Sequence, residues 1–139
     1  MSKISKRLLE FINALPLKND LRILEIGCGT GIAAREIVNR FDTIFVLATD
    51  RSEKAIQQSI QNSGAEISAG KLQFQKIAIE EFTLEDHKKF DFAFAIRVGA
   101  LDGRHPEIEK QALDKIKKSL KSNGKLFIDG GSPLKEIQL

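Results

Sequence analysis

The sequence predicts a single α/β domain, a three-layer sandwich in which helices cover both faces of a mostly parallel sheet of about five strands. Short apolar runs alternate with amphipathic helical stretches along the whole chain, a pattern typical of βαβ units. These runs are apolar at nearly every position, as expected of strands buried on both faces. A chain of 139 residues with 42% hydrophobic content can form one ordinary core.

The predicted elements follow one another without a linker, a repeat or a low-complexity segment. Apolar residues at helical spacing predict a first helix over residues 5–15, which Pro16 ends. We therefore expect residues 1–20 to form an N-terminal helical segment, residues 21–132 the core and residues 133–139 a tail. Strands are predicted over residues 21–26, 43–49, 72–77, 91–96 and 126–129, and further helices over residues 32–41, 53–63 and 107–120.

Glycine and proline mark several of the predicted boundaries. Gly64 follows the helix over residues 53–63, at a place where a left-handed residue often ends a helix. Pro106 suits the first turn of the last long helix. Asn123-Gly124 is expected to lead from that helix into the fifth strand.

The most informative stretch is the loop that joins the first strand to the next helix. It has Gly27, Gly29 and Gly31 at every second position, after the acidic Glu25. Such glycines open backbone conformations closed to other residues and let a ligand lie against main-chain N–H groups. A dinucleotide fingerprint would need a small residue where Ile32 stands. The spacing therefore favours a nucleotide-like ligand other than a dinucleotide.

An acidic residue, Asp50, ends the second predicted strand 23 residues after Gly27 (50 − 27). At this distance from the loop, a carboxylate can accept hydrogen bonds from both hydroxyls of a ribose. The alternative interpretation is a helix N-cap, because residues 50–53 also fit a capping box. Ser52 is a second candidate for that cap.

These motifs resemble those of the class I S-adenosylmethionine-dependent methyltransferases, whose first motif commonly reads [VIL]-[DE]-[VIL]-G-x-G-x-G. Here it reads Leu24-Glu25-Ile26-Gly27-Cys28-Gly29-Thr30-Gly31. Ser52 follows Asp50 by two residues, Phe90-Asp91 opens the fourth strand and Gly124-Lys125-Leu126 the fifth, as in that family. The resemblance covers residues 21–129. It implies a Rossmann-like sheet of order 3-2-1-4-5 and S-adenosylmethionine as the cofactor.

The carboxyl ends of parallel strands meet at one edge of a sheet, so we expect residues 27–31, 50, 78–80, 97–104 and 129–132 to lie there. The resemblance implies that the glycines shape the cofactor loop, that Glu25 orients it and that Asp50 holds the ribose. Many relatives have an acidic residue where Ala78 stands, so main-chain contacts to adenine are expected instead. The implied cofactor-binding residues are Glu25, Gly27, Cys28, Gly29, Gly31, Asp50, Arg51, Ala78, Ile79 and Arg97.

The sequence identifies no catalytic residue. Methyl transfer from a sulfonium can proceed by positioning alone. His105 is a candidate base, with an exposed helix N-cap as the alternative, and Asp102 either orients an acceptor or forms a turn with Gly103. Arg97 and Arg104 could bind an acidic substrate, the cofactor carboxylate or only solvent. Cys28 fits a small packed residue, and His87 a solvated helix end.

Composition narrows the function classes. The net charge is +3, but the 22 basic and 19 acidic residues are scattered, so a nucleic-acid partner is not favoured. No apolar run approaches the ~18 residues that span a bilayer, and no secretory signal or metal-ligand spacing is recognisable. The one cysteine cannot form an internal disulfide, which suits the cytoplasm.

Compared with the family it resembles, the chain is expected to lack two further strands after the fifth. The edge of the fifth strand would then be open, and a short strand from the tail or a homodimer would cover it. We expect a small cytoplasmic methyltransferase that acts on a small-molecule acceptor. The alternatives are a non-catalytic or partner-dependent S-adenosylmethionine-binding module and an RNA methyltransferase.

Overall fold

The computed structural model describes residues 4–84, 88–101 and 105–139. Two short 3₁₀ helices, Ile79–Glu81 and Gly99–Leu101, follow the third and fourth strands. The α-helices are α1 (Lys6–Ala14), α2 (Ile32–Val38), α3 (Glu53–Asn62), α4 (Gly64–Ser68) and α5 (Pro106–Ser119). The strands are β1 (Leu21–Ile26), β2 (Ile44–Asp50), β3 (Leu72–Lys76), β4 (Phe90–Ala95), β5 (Leu120–Ile128) and β6 (Lys135–Ile137).

The six strands form one sheet in the order β3-β2-β1-β4-β5-β6, parallel except for β6. β1 lies at its centre, with Glu25 opposite Ala48 of β2 and Phe94 of β4. The order of the first five strands and the three-layer architecture confirm the predicted fold. The strand order changes direction at β1, so the carboxyl ends of β1, β2 and β4 meet where α/β proteins bind their ligands.

Two apolar clusters pack on opposite faces of the sheet. On one face, buried residues of α1, α2 and α3, such as Ile12, Ile37 and Ile56, cover Ile23 of β1. On the other face, Ala112 and Ile116 of α5 pack with the 3₁₀ segments over β4 and β5. Because strand side chains alternate between faces, each central strand contributes to both clusters.

The sheet has one strand more than the five predicted. β6 pairs antiparallel with β5, with Leu126 opposite Ile137 and Ile128 opposite Lys135. The expectation of an open β5 edge is therefore wrong at residues 126–128, because the tail covers these positions itself, the first of the two remedies predicted. A homodimer through the fifth-strand edge would have to use other positions.

Two predicted turn signals have different roles from those expected. Gly64 does not end α3 in a left-handed conformation; it begins α4 after a single intervening residue, and Gly70 has the positive φ of +76°. Asn123-Gly124 lies inside β5, not before it. Phe90 pairs with Leu120 but Phe92 with Lys125, so residues 121–124 form an irregularity that the shorter β4 segment does not match.

Within the described residues, no helix has the length and apolar character to cross a membrane.

Candidate functional site

A cavity of about 590 Å³ opens at the carboxyl ends of the strands. Its volume lies in the range of roughly 300–1,000 Å³ that is typical of small-molecule sites. Four stretches of the chain line it: Ile26, Gly27 and Gly29; Thr49, Asp50 and Arg51; Ile77, Ala78, Ile79 and Glu80; and Arg97, Val98, Gly99, His105 and Ile108.

The glycine loop turns the chain from β1 into α2 through left-handed backbone at Gly27, Gly29 and Gly31, with φ values of +75°, +57° and +85°. Several of its N–H groups have partners in the protein. Those of Gly27 and Cys28 donate to the carbonyl of Thr49 (2.8 and 2.9 Å), and that of Gly31 donates to the carbonyl of Cys28 (3.0 Å). Contact between a ligand and the main chain of this loop stays a prediction. The glycines also serve the turn and the close approach of backbone.

Close packing at Gly27 involves the segment that follows β4. A Cβ atom added at Gly27 would lie 2.6 Å from Cγ2 of Val98, which follows β4. At Gly29 an added Cβ would have no protein atom within 4 Å and would project into open space at the cavity. The loop thus touches Val98 on one side and leaves room beside Gly29.

Asp50 forms the rim of the cavity beside the loop. Its Oδ2 accepts a hydrogen bond from the N–H of Gly29 and its Oδ1 from the N–H of Ser52, both at 2.9 Å. Helix α3 is capped by Ser52, whose Oγ accepts from the N–H of Ala55 (3.2 Å). The capping alternative for Asp50 is therefore wrong. Two main-chain donors fix the carboxylate, and lone pairs remain for a ligand.

Glu25 lies in the protein interior, not on the cavity surface. It is 3% exposed, and its Oε1 has no hydrogen-bond partner among the described residues. Burial, with a smaller effect of the nearby Asp50 charge, raises the pKa of Glu25 from 4.5 to about 8. A neutral carboxylic acid therefore sits under the loop at neutral pH.

Two other predicted site residues, Cys28 and Gly31, are buried within the loop. The Cys28 thiol faces Ser59 Oγ at 3.9 Å, and burial raises its pKa to about 12, so it is a packed thiol and no nucleophile. Ser59 Oγ in turn donates to the carbonyl of Gly29 (2.8 Å). An added Cβ at Gly31 would lie 2.8 Å from Arg35 Nη1, whose guanidinium donates to the carbonyl of Thr30.

The remaining predicted residues line the cavity. Ala78 and Ile79 form its wall after β3, next to Glu80, for which the sequence analysis gives no role. The carbonyl of Glu80 accepts a hydrogen bond from Gln111 Nε2 of α5 at 2.9 Å. This bond fixes the 3₁₀ segment on the helix. The sequence predicts that Glu80 lies at this edge of the sheet, because it comes shortly after the third strand. No local sequence pattern indicates what Glu80 does there.

Arg97 and His105 line the cavity from the part of the chain between β4 and α5. Arg97 has a positive φ of +56°, and its N–H donates to Asp129 Oδ1 at 2.9 Å. His105 precedes α5 at the N-cap position, yet its side chain makes no capping hydrogen bond and lines the cavity instead. The candidates Asp102, Arg104 and His87 lie outside the described residues. Within the described part, no cluster of His, Cys, Asp and Glu could hold a metal ion.

The fold and the site together define an α/β protein with a nucleotide-type cavity at the switch point of its sheet. Residues 23–124 match a family described as a methyltransferase domain. Since this is well over half of the chain, the protein belongs to the methyltransferase domain family. No curated protein matches the sequence.

Several solved structures have the same fold. The [4+2]-cyclase SpnF is 22% identical, with a TM-score of 0.72 over 88% of this chain and 43% of its own. A Thiobacillus denitrificans S-adenosylmethionine-dependent methyltransferase, solved with S-adenosylhomocysteine, is 19% identical (TM-score 0.71, 90% and 48%). Haemonchus contortus phosphoethanolamine N-methyltransferase 1 is 16% identical (TM-score 0.73, 88% and 24%). The chain thus spans less than half the length of these relatives.

Proposed function

We propose that this protein binds S-adenosylmethionine in the 590 Å³ cavity and transfers its methyl group to a small-molecule acceptor. The observation that carries the proposal is the Asp50 carboxylate. Two main-chain N–H groups hold it at the rim, beside the glycine loop. A carboxylate fixed in this way can accept from both hydroxyls of a ribose. The loop has Ile32 where a dinucleotide fingerprint needs a small residue, so the site favours a nucleoside cofactor over a dinucleotide.

The other residues of the cavity fit the same cofactor. In the described lining of the cavity, Arg51 supplies a positive charge, and Asp50 and Glu80 supply negative charges. S-adenosylmethionine carries both a carboxylate and an ammonium group, so it needs partners of both signs. The apolar Ile77, Ala78 and Ile79 would pack against the adenine ring. Open space beside Gly29 lets the ligand approach the backbone closely.

Bound S-adenosylmethionine would supply a methyl group on a positively charged sulfur. The protein's contribution is to hold an acceptor in line with it, and positioning alone can supply much of the rate. We assign His105 as the candidate proton acceptor, because this residue lines the cavity and its side chain makes no capping hydrogen bond. A neutral imidazole can take the proton of an acceptor hydroxyl or amine.

A small-molecule acceptor is the substrate class that the cavity supports. Among the described lining residues, two arginines are matched by two carboxylates, so this part of the cavity has no excess of positive charge for a nucleic acid. Haemonchus contortus phosphoethanolamine N-methyltransferase 1 was solved with phosphoethanolamine, and a coclaurine N-methyltransferase with N-methylheliamine. Both are small amines bound by proteins of the same fold.

The proposal is tested by calorimetric titration of the purified protein with S-adenosylhomocysteine and S-adenosylmethionine. Asp50→Ala removes the carboxylate that accepts from the ribose, and we expect its affinity to fall by a factor of at least roughly 100, from the loss of two charged hydrogen bonds. Asp114→Ala is the matched control, because Asp114 pairs with Lys118 on the surface of α5 and does not line the cavity.

Absence of binding by the folded wild-type protein would contradict the proposal, as would equal affinity of wild type and Asp50→Ala. Release of S-adenosylhomocysteine, measured by mass spectrometry in the presence of small amines, phenols and carboxylates, separates an enzyme from a binding module. A module predicts saturable binding with no release for any acceptor.

A further inference from the structure

A second cavity, of about 180 Å³, lies beside the first. It forms between the first turn of α1 and the chain that follows β4 and β5. Among the described lining residues, Arg97 is common to both cavities. A ligand in the smaller cavity would therefore lie one side chain away from the proposed cofactor site.

The smaller cavity has apolar walls. Leu8 and Phe11 of α1, Ile96 after β4 and Pro133 supply them. The volume is below the roughly 300 Å³ at which sites for drug-sized ligands begin. The cavity therefore suits a compact ligand with an apolar body, such as a single ring or a short branched chain.

The polar lining of this cavity carries an excess of positive charge. Arg7 and Arg97 supply two guanidinium groups, whereas Asp129 is the one acidic residue in the described lining. Asp129 Oδ1 already accepts the main-chain N–H of Arg97. No ion pair or side-chain hydrogen bond of either guanidinium occurs in the part of the chain that the structure describes. Other arginines do have partners. Arg35 donates to the carbonyl of Thr30, and Arg40 pairs with Glu36. Arg22 stacks on the ring of Phe45.

We propose that the smaller cavity is the acceptor subsite and that it selects a small carboxylate with an apolar body. Arg7 and Arg97 bind the carboxylate, and Phe11 and its apolar neighbours pack against the body. Guanidinium groups match carboxylates in geometry and remain charged at all working pH values. As an acceptor subsite the proposal rests on the proposed function, but as an anion site it stands on the cavity alone.

The test is an NMR titration of ¹⁵N-labelled protein with benzoate, phenylacetate and isovalerate, first without and then with saturating S-adenosylhomocysteine. Benzamide, phenylacetamide and isovaleramide are the uncharged counterparts of these carboxylates. We expect at least one carboxylate to shift the amide signals of Leu8, Phe11 and Arg97, and to bind about tenfold more tightly than its amide, from one lost charged hydrogen bond. Binding should persist when S-adenosylhomocysteine is present.

Arg7→Gln and Arg97→Gln should each weaken carboxylate binding by about tenfold. Arg40→Gln should not, because Arg40 pairs with Glu36 on α2 and lines neither cavity. Arg7→Gln lies outside the cofactor cavity, so its affinity for S-adenosylhomocysteine should match that of wild type. This separates a role in the smaller cavity from a general loss of folding.

Three results would overturn the proposal: no binding by any of the three carboxylates, equal affinity for each binding carboxylate and its amide, or displacement of the carboxylate by S-adenosylhomocysteine. The last would place the anion in the large cavity. If S-adenosylhomocysteine itself does not bind, the proposed function fails, whereas the titrations without it still decide whether the smaller cavity is an anion site.

Discussion

The two sides of the large cavity differ in how they are held. The glycine-loop rim, formed by residues 27–31 and Asp50, is fixed by main-chain hydrogen bonds to Thr49, Cys28 and the Asp50 carboxylate. In the second rim, residues 97–99 and His105, the described bonds are Arg97 N–H to Asp129, Leu101 N–H to the carbonyl of Val98 and Glu109 N–H to the carbonyl of His105. We infer that the first rim is preorganised for the cofactor and that the second determines the acceptor.

The largest expected effect at the glycine-loop rim comes from the charge state of Glu25, whose carboxyl group lies beneath the loop. The folded protein holds a proton on Glu25 up to about pH 8, whereas in the unfolded chain its pKa is 4.5. Raising the pH between these values therefore favours unfolding, by up to roughly 1 kcal/mol per pH unit. We expect Glu25→Gln to lack this contribution, so its free energy of unfolding should exceed that of wild type increasingly from pH 5 to pH 8.

Urea unfolding of the ligand-free protein at pH 5, 6.5 and 8 measures this difference. Glu107→Gln, at an exposed position in the first turn of α5, should retain the slope of wild type. Parallel curves for wild type and Glu25→Gln would mean that Glu25 is ionised in the folded protein.

Contact between the two rims is tested by comparing two glycines. Gly27→Ala adds left-handed strain and a clash with Val98, and we expect a loss of about 3 kcal/mol. Gly29→Ala has a similar φ but an open neighbourhood, so about 1 kcal/mol is expected. Urea unfolding gives both values. In a double-mutant cycle, Val98→Ala should reduce the loss of stability that Gly27→Ala causes, because it removes the clashing methyl groups. Additive effects of the two substitutions would contradict contact between the rims.

A smaller effect separates the capping of α3 from the fixing of Asp50. Ser52→Ala removes the Oγ that caps the helix and should lower the free energy of unfolding by about 1 kcal/mol. The N–H of Ser52, which holds Asp50, remains. Thermal unfolding and calorimetry should therefore show lower stability with an affinity for S-adenosylhomocysteine within about twofold of wild type. A loss of affinity like that of Asp50→Ala would mean that the hydroxyl itself binds the ligand.

The features that the sequence predicts correctly depend on residues that are close together in the chain. The glycine spacing, the acidic end of β2 and the apolar runs act within a few residues, so the loop, Asp50 and the first five strands are recognisable without long-range information. The engagement of the loop N–H groups is not, because it depends on the position of Thr49 on the neighbouring strand. Likewise, Val98 contacts Gly27 only after β1 and β4 pair.

Pairing and packing between distant segments decide the remaining features. The sequence leaves a tail strand and a homodimer as alternatives for the edge of β5, and the pairing of the three-residue β6 with β5 decides between them at residues 126–128. The smaller cavity joins Arg7 near the start of the chain to Pro133 near its end. His105 has the sequence context of an N-cap, yet its side chain makes no capping bond and lines the cavity.

The proposed ligand of the Asp50 carboxylate is the ribose of S-adenosylmethionine, at the glycine-loop rim. A crystal structure of the protein with S-adenosylhomocysteine tests this directly. We expect both ribose hydroxyls within hydrogen-bond distance of the Asp50 carboxylate, with the Gly29 and Ser52 N–H bonds retained and the adenine against Ala78 and Ile79. A ligand bound elsewhere, or one whose ribose points away from Asp50, would contradict it.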